Sequence, residues 1–276
     1  MDSTLSTLAE THYENFPVGS LFLPAEYRKP IRLVYAFARV ADDFADEGSD
    51  SPEVRLQRLD RWEGGLKAAL SGKGGDQFFE DLSGIIRLYD IPVSLFSDLI
   101  EAFRMDARGT TYATFEDLRF YCRRSADPVG RILLHLFRAA SAELCGYSDS
   151  ICTALQLTNF WQDLSIDIKR NRLYIPREDF ERFGLTVEEL THGRGTASVH
   201  RLLKFEVGRT RELFAGGLPL LRAIDKRFAF ELRLTVNGGM RILEKIAAQD
   251  FDTLIRRPHL SKLDWALLFG RSLLRR

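Results

Sequence analysis

Cysteine is scarce in this chain. Its three residues, Cys122, Cys145 and Cys152, lack the spacing of a metal site and are too few for a disulfide framework, so they read as reduced, buried thiols. Net charge is also missing: 39 basic residues balance 39 acidic ones, which excludes the basic excess of a nucleic-acid binder. No apolar run reaches the roughly 18 residues that would suggest a membrane span. The opening MDSTLSTLAETHYENF carries acidic residues and no apolar core of signal-peptide length, so a cytoplasmic location is expected. No segment alternates with period two for long, so no sheet is expected. Gly72 to Gly75 follows no strand and precedes no Gly-Lys-Ser/Thr, which excludes a phosphate-cradling loop. What remains, 45% hydrophobic and 28% charged residues, is an ordinary globular composition, and we expect a single all-α domain over 1–276.

What the chain does have is an amphipathic helix turned inside out. In Ile31 to Glu47, set at roughly 100° per residue, Tyr35, Arg39, Asp42 and Asp46 fall on one stripe with Asp43 at its edge. Leu33, Val34, Ala36, Phe37, Ala38, Val40, Ala41, Phe44 and Ala45 fill most of the remainder. A helix apolar on most sides is buried on most sides, and buried carboxylates are costly without compensating positive charge. The stripe is therefore expected to face an internal polar cavity.

Ile151 to Ile168 repeats the pattern, with Gln156, Asn159, Asp163 and Asp167 on one stripe and Leu155, Leu157, Phe160, Trp161, Leu164, Ile166 and Ile168 around it. If the two stripes face each other, Asp42, Asp46, Asp163 and Asp167 meet across one gap, and repulsion would raise their pKa values unless cations sit between them. Oxygen ligands without Cys or His favour Mg²⁺, which holds few protein carboxylates and completes its octahedron with water and phosphate oxygens. Carboxylates, Mg²⁺ and apolar walls together suit ionisation of a lipid diphosphate, where the walls keep water from a carbocation.

These residues resemble the squalene and phytoene synthase family of head-to-head prenyl-diphosphate enzymes. Its first aspartate motif is similar to Asp42-Asp43-Phe44-Ala45-Asp46-Glu47, preceded by Tyr35 and Arg39. Its second is similar to Gln156-Leu157-Thr158-Asn159-Phe160-Trp161-Gln162-Asp163, followed by Asp167. The likeness runs from about Ser20 to Gly238-Gly239. It implies an isoprenoid-synthase helical bundle around a central cavity, with Mg²⁺ held by Asp42, Asp43, Asp46, Asn159, Asp163 and Asp167. Tyr35, Arg39, Arg172 and Tyr174 would then orient the leaving diphosphate.

Other positions carry two readings each. Ser20 is either a diphosphate contact, as the resemblance implies, or a cap on the next turn. Pro30 sits where a first-turn proline is tolerated. Asp106 reads as a helix-end charge or as a carboxylate supporting the metal ligands. Tyr121 lies on a short helix and is taken as a substrate contact. Gly130, in a Val-Gly pair like the family's, either receives a hydrocarbon chain or permits close helix packing. The basic run from Lys169 to Arg172, ahead of Tyr174, is a solvated face or a lid over the diphosphate. The tail from Ser261 to Arg276, both basic and apolar, is a terminal core helix or a segment resting on an anionic membrane surface at the inner leaflet.

Within the family, Glu14 to Val18, Tyr35 to Arg39 and Thr158 to Asp163 most resemble the hydroxysqualene synthases of bacterial hopanoid pathways. The resemblance implies presqualene diphosphate as substrate, loss of diphosphate, cyclopropylcarbinyl rearrangement and water capture, with no NADPH consumed. Its pathway partners would be a presqualene diphosphate synthase and a flavin-dependent hydroxysqualene reductase. Members that condense two prenyl diphosphates commonly carry arginine where this chain has Gln162. The alternative is such a condensing enzyme, making presqualene diphosphate, squalene or phytoene. Outside enzymes, a helical scaffold would turn the acidic stripes to solvent, and a lipid carrier would have little need of two aspartate sets.

Overall fold

The computed structural model describes residues 24–46, 50–191 and 195–274; Ser20 and Glu47 lie outside them. Among the described residues the secondary structure is helical throughout, without a strand. The chain forms two units. One comprises Met1–Thr110 with Pro128–Ser141, the other Thr111–Asp127 with Ala142–Arg276.

The first unit opens with α1 (Ala25–Asp46), α2 (Pro52–Leu70), α3 (Gln77–Leu88) and α4 (Val93–Ala107). After α5 (Phe115–Ser125), which belongs to the second unit, α6 (Asp127–Leu136) returns the chain to the first from Pro128 onward. Pro30 corrects one expectation: α1 starts at Ala25, so the proline is inside the helix rather than in its first turn. The fault is small, because so near the N-terminus a missing N–H removes a single rung of the ladder. The core is aromatic. Trp62 lies among Phe37, Phe44, Phe78 and Phe79, its ring 4.6 Å from that of Phe79, and its indole N–H donates to the Phe37 carbonyl at 3.1 Å. Burying the ring and satisfying its polar edge together fix α2 against α1.

The second unit holds α5 and, further on, α7 (Ala142–Lys169), α8 (Arg177–Phe183), α9 (Val187–Thr191), α10 (Ala197–Gly217), α11 (Leu220–Ala223), α12 (Lys226–Ala248) and α13 (Lys262–Leu274). Helix α7 begins nine residues before the predicted Ile151, because Gly146, Ser148 and Ser150 blur the apolar periodicity of its first turns. Trp161, on its buried side, donates to Thr210 Oγ1 at 2.9 Å, and that hydroxyl donates to the Glu206 carbonyl at 2.8 Å, fastening α7 to α10. Gly239 of α12 permits a close approach: a Cβ there would stand 2.7 Å from Phe214 and 3.0 Å from Leu155. Cys122 is buried, whereas Cys145 and Cys152 are only half-buried.

Candidate active site

On α1, Tyr35, Arg39, Asp42, Asp43 and Asp46 are all half-buried, and Val34, Ala36, Phe37, Val40, Ala41 and Ala45 around them are buried. The polar stripe of the inverted amphipathic helix is thus half-buried among buried apolar neighbours. Arg39 Nη1 lies 3.0 Å from Asp42 Oδ2 and its Nη2 lies 2.6 Å from Asp43 Oδ1, a fork across two carboxylates one turn away. Asp42 keeps some access to solvent, yet its carboxyl is pushed up to about 7. Burial is the main cause, repulsion from Asp46 adds to it, Arg39 opposes it, and Asp43 and Asp106 contribute further. Asp106, next to the last residue of α4, is a helix-end charge and also one of the carboxylates that raise Asp42.

Within the second unit, Gln156, Asn159, Asp163 and Asp167 are half-buried along α7. Asn159 Nδ2 donates to Asp163 Oδ2 at 2.9 Å. Arg257, from the segment between α12 and α13, clasps the same carboxylate: Nε donates to Oδ1 and Nη2 to Oδ2, the latter at 3.3 Å. Beside it, Gln162 Nε2 donates to the Pro258 carbonyl at 2.8 Å. No local pattern announces Arg257, which stands far from Asp163 in sequence.

The basic run at the end of α7 is exposed from Lys169 to Asn171 and closes the helix in an ordered turn. The Asp167 carbonyl accepts from Arg170 N at 2.9 Å and Arg172 N at 2.8 Å, and Asn171 takes a φ of 57°, the left-handed turn that ends the helix. The chain then buries Tyr174, Ile175 and Pro176. Tyr174 stacks on Phe160 with centroids 3.8 Å apart and 7° between the planes, and Tyr121 and Tyr112 lie against it at 5.7 Å and 6.1 Å. Tyr121 and Tyr174 are thus brought together as walls of one aromatic cluster beside Asn159. Arg172 stays half-buried at its edge, and Gly130 is buried within α6 of the first unit.

The sequence model of the squalene/phytoene synthase family matches residues 9–264. The chain belongs to that family. It is an enzyme of isoprenoid biosynthesis, of the prenyl-diphosphate-processing type. This family member is similar to the hydroxysqualene synthase of Sinorhizobium fredii, 33% identical over 92% of this chain and 86% of that one. It is similar to the phytoene synthase of Thermus thermophilus at 30% identity, over 98% and 91% of the two chains. The structure of squalene synthase HpnC from Alicyclobacillus acidocaldarius superposes with a TM-score of 0.85 at 40% identity, covering 91% of this chain and 94% of that one. The present family member spans 67% and 64% of the chloroplast phytoene synthases of Oncidium and Narcissus. Its all-α architecture is the isoprenoid-synthase fold.

The donor set of this family member fits Mg²⁺. Among the described residues no three His, Cys, Asp or Glu side chains converge as a ready-made metal cage; Mg²⁺ takes one or two protein carboxylates and fills its shell with water and phosphate. Asp42, raised by burial and by three carboxylate neighbours, marks a place where a divalent cation would relieve excess negative charge. Within the first unit Asp42, Asp43 and Asp46 on α1 are the residues that would hold Mg²⁺, and within the second Asn159, Asp163 and Asp167 on α7. Mg²⁺ supplies neutralisation of a departing diphosphate when bound.

Proposed function

We propose that this enzyme is a hydroxysqualene synthase acting on presqualene diphosphate. The observation that carries the reading is Gln162: a neutral amide, engaged with the Pro258 carbonyl, stands where condensing members of the family commonly carry arginine. Without that cation the enzyme is suited to one diphosphate at a time, as rearrangement of presqualene diphosphate requires. Likeness to the Sinorhizobium hydroxysqualene synthase supports the same reading. In it, presqualene diphosphate and water give hydroxysqualene and diphosphate. The carbon–oxygen bond to diphosphate breaks, the cyclopropylcarbinyl cation rearranges, and water closes it with loss of a proton.

The chain's own residues divide the work. Arg39 with Tyr35 in the first unit, and Arg172 with Tyr174 in the second, are the donors to the developing negative charge in this reading. Arg257, which now clasps Asp163, is a further donor to that charge. The packed rings of Tyr112, Tyr121, Phe160 and Tyr174 give a face on which a cation is tolerated. Because the product has gained water and no hydride, NADPH has no part. A presqualene diphosphate synthase would supply the substrate, and a flavin-dependent reductase would consume the product.

The test is incubation of purified protein with presqualene diphosphate and Mg²⁺, without NADPH, and identification of the neutral lipid. Hydroxysqualene is expected. Efficient formation of presqualene diphosphate, squalene or phytoene from simple prenyl diphosphates would instead make it a condensing synthase.

A further inference from the structure

Helix α13 is docked by one side. Asp264, Leu268 and Ser272, four residues apart, are buried. Asp264 receives Arg241 Nε at 2.7 Å and Lys245 Nζ at 2.7 Å from α12, and caps its own helix by accepting from Ser261 N at 2.8 Å. Hydrogen bonds from Lys245, Ser261 and Arg241 hold that carboxyl well below the usual range. The opposite side is also apolar. Leu263 is 78% exposed, Trp265 49%, Leu267 53% and Phe269 40%. The other exposed large hydrophobics of the described residues, such as Val54, Leu88 and Phe120, lie singly on separate elements, whereas on α13 Leu263 with Leu267 and Trp265 with Phe269 border an outer arc whose middle is Ala266 and Gly270.

The exposed charges that α13 itself carries are basic, with Glu244 of α12 lying 3.8 Å from Arg271. Lys262 opens the helix and Arg271 lies in its last turns, both exposed, while its acidic residue is turned inward and paired. In sequence, Arg275 and Arg276 follow. An apolar face with a tryptophan and a basic rim is complementary to an anionic lipid interface, where indole and lysine or arginine side chains settle at headgroup depth. A second copy suits it less, since a two-fold, antiparallel pairing of this helix would bring Lys262 of one chain to Arg271 of the other. We propose that the outer face of α13 lies in the interfacial layer of an anionic bilayer.

Binding of the full chain to sedimenting vesicles tests this without reference to the reaction. The probes are pure phosphatidylcholine vesicles and vesicles with about 30% phosphatidylglycerol. The wild type is expected to bind the anionic vesicles roughly tenfold or more better than the neutral ones. Leu263→Ser with Trp265→Ser and Leu267→Ser should lose most of that binding with unchanged circular dichroism. Lys262→Glu with Arg271→Glu should lose the anionic preference. If the triple variant misfolds, quenching of wild-type tryptophan emission by brominated lipids provides the second readout, because Trp161 is buried and Trp62 sits within the first unit's aromatic core. Failure of the wild type to bind, or a folded triple variant that binds equally well, overturns the proposal. So does a wild-type dimer that this variant splits while vesicles go unbound.

Discussion

Gln162 Nε2 donates to the carbonyl oxygen of Pro258 at 2.8 Å, and that bond ties the neutral side chain preceding Asp163 to the segment that brings Arg257 onto Asp163. The segment is otherwise held by its own turns. Gln249 Nε2 reaches the carbonyls of Asp252 and Arg256, both at 2.8 Å. Arg257 therefore stands on a braced loop, with Gln162 as the brace that comes from α7.

Gln162→Ala removes that brace and leaves the Pro258 carbonyl without this donor. A loss of about 1 kcal/mol is expected, read as a fall in Tm of roughly 2–4 °C by thermal unfolding. Turnover should fall as well, by several-fold, because Arg257 would be less firmly placed on Asp163. An unchanged Tm and rate would show that the loop is held without Gln162.

Glu63 offers a pH-dependent prediction. Burial works against its ionisation, but hydrogen bonds from Lys67, Arg104 and Ser97 prevail and hold its pKa down to about 2. Ser97 Oγ donates at 2.7 Å and Arg104 Nη2 at 2.9 Å, joining α4 to α2. Because the folded pKa lies below the unfolded one, this stabilisation is present above about pH 4.5 and fades as pH falls toward 2. Glu63→Gln should lower stability at pH 7 by on the order of 1–2 kcal/mol and flatten its decline across the acid range. Urea unfolding at several pH values would measure both.

How far such features can be read from sequence depends on how local they are. The stripes on α1 and α7 were legible because helical periodicity alone sets which residues share a face, and the structure leaves both stripes half-buried among buried neighbours. The absence of strands among the described residues was legible for a similar reason. Arg257 was not, since its partner is fixed by the packing of distant segments. The run after α7 misled by its charge: Lys169 and Arg170 are exposed, but Tyr174 two residues beyond Arg172 is buried by stacking that no neighbour in sequence reveals. Pro30 misled because a helix can tolerate proline slightly deeper than its first turn.

The buried trio of Asp179, Glu206 and Arg209 was equally invisible in sequence and carries two contrasting predictions. Arg209 lies 3.0 Å from Asp179 and 3.3 Å from Glu206, and its guanidinium covers the Phe115 ring at 3.9 Å. Burial first, and Asp179 with it, push the Glu206 carboxyl well above its usual range against the pull of Arg209. A raised folded pKa means that folding takes up a proton, so stability falls as pH rises from about 4.5 toward that value. Glu206→Gln mimics the protonated acid and should shift stability at pH 7 by under about 1 kcal/mol while removing this slope. Arg209→Met leaves Asp179 buried without its cation and should cost about 3–5 kcal/mol. Equal effects from the two variants in denaturant unfolding would refute this division of roles.

The metal assignment is tested most directly by binding rather than by rate. Mg²⁺ with pyrophosphate should stabilise the native protein by about 2.7 kcal/mol when present at 100 times its dissociation constant, a rise in Tm of roughly 5–10 °C. Pyrophosphate alone should do less, and chelation should reverse the effect. Asp42→Ala and Asp163→Ala should blunt the shift and lower turnover by roughly a thousandfold or more, with helical circular dichroism intact. The two are not equivalent in the free protein. Removing Asp42 relieves a crowded set of carboxylates, so its apo form should be as stable as the wild type or more so. Removing Asp163 deprives Arg257 of its partner, so its apo form should lose stability. A helical scaffold with solvated acidic faces would show neither the metal-dependent shift nor this asymmetry.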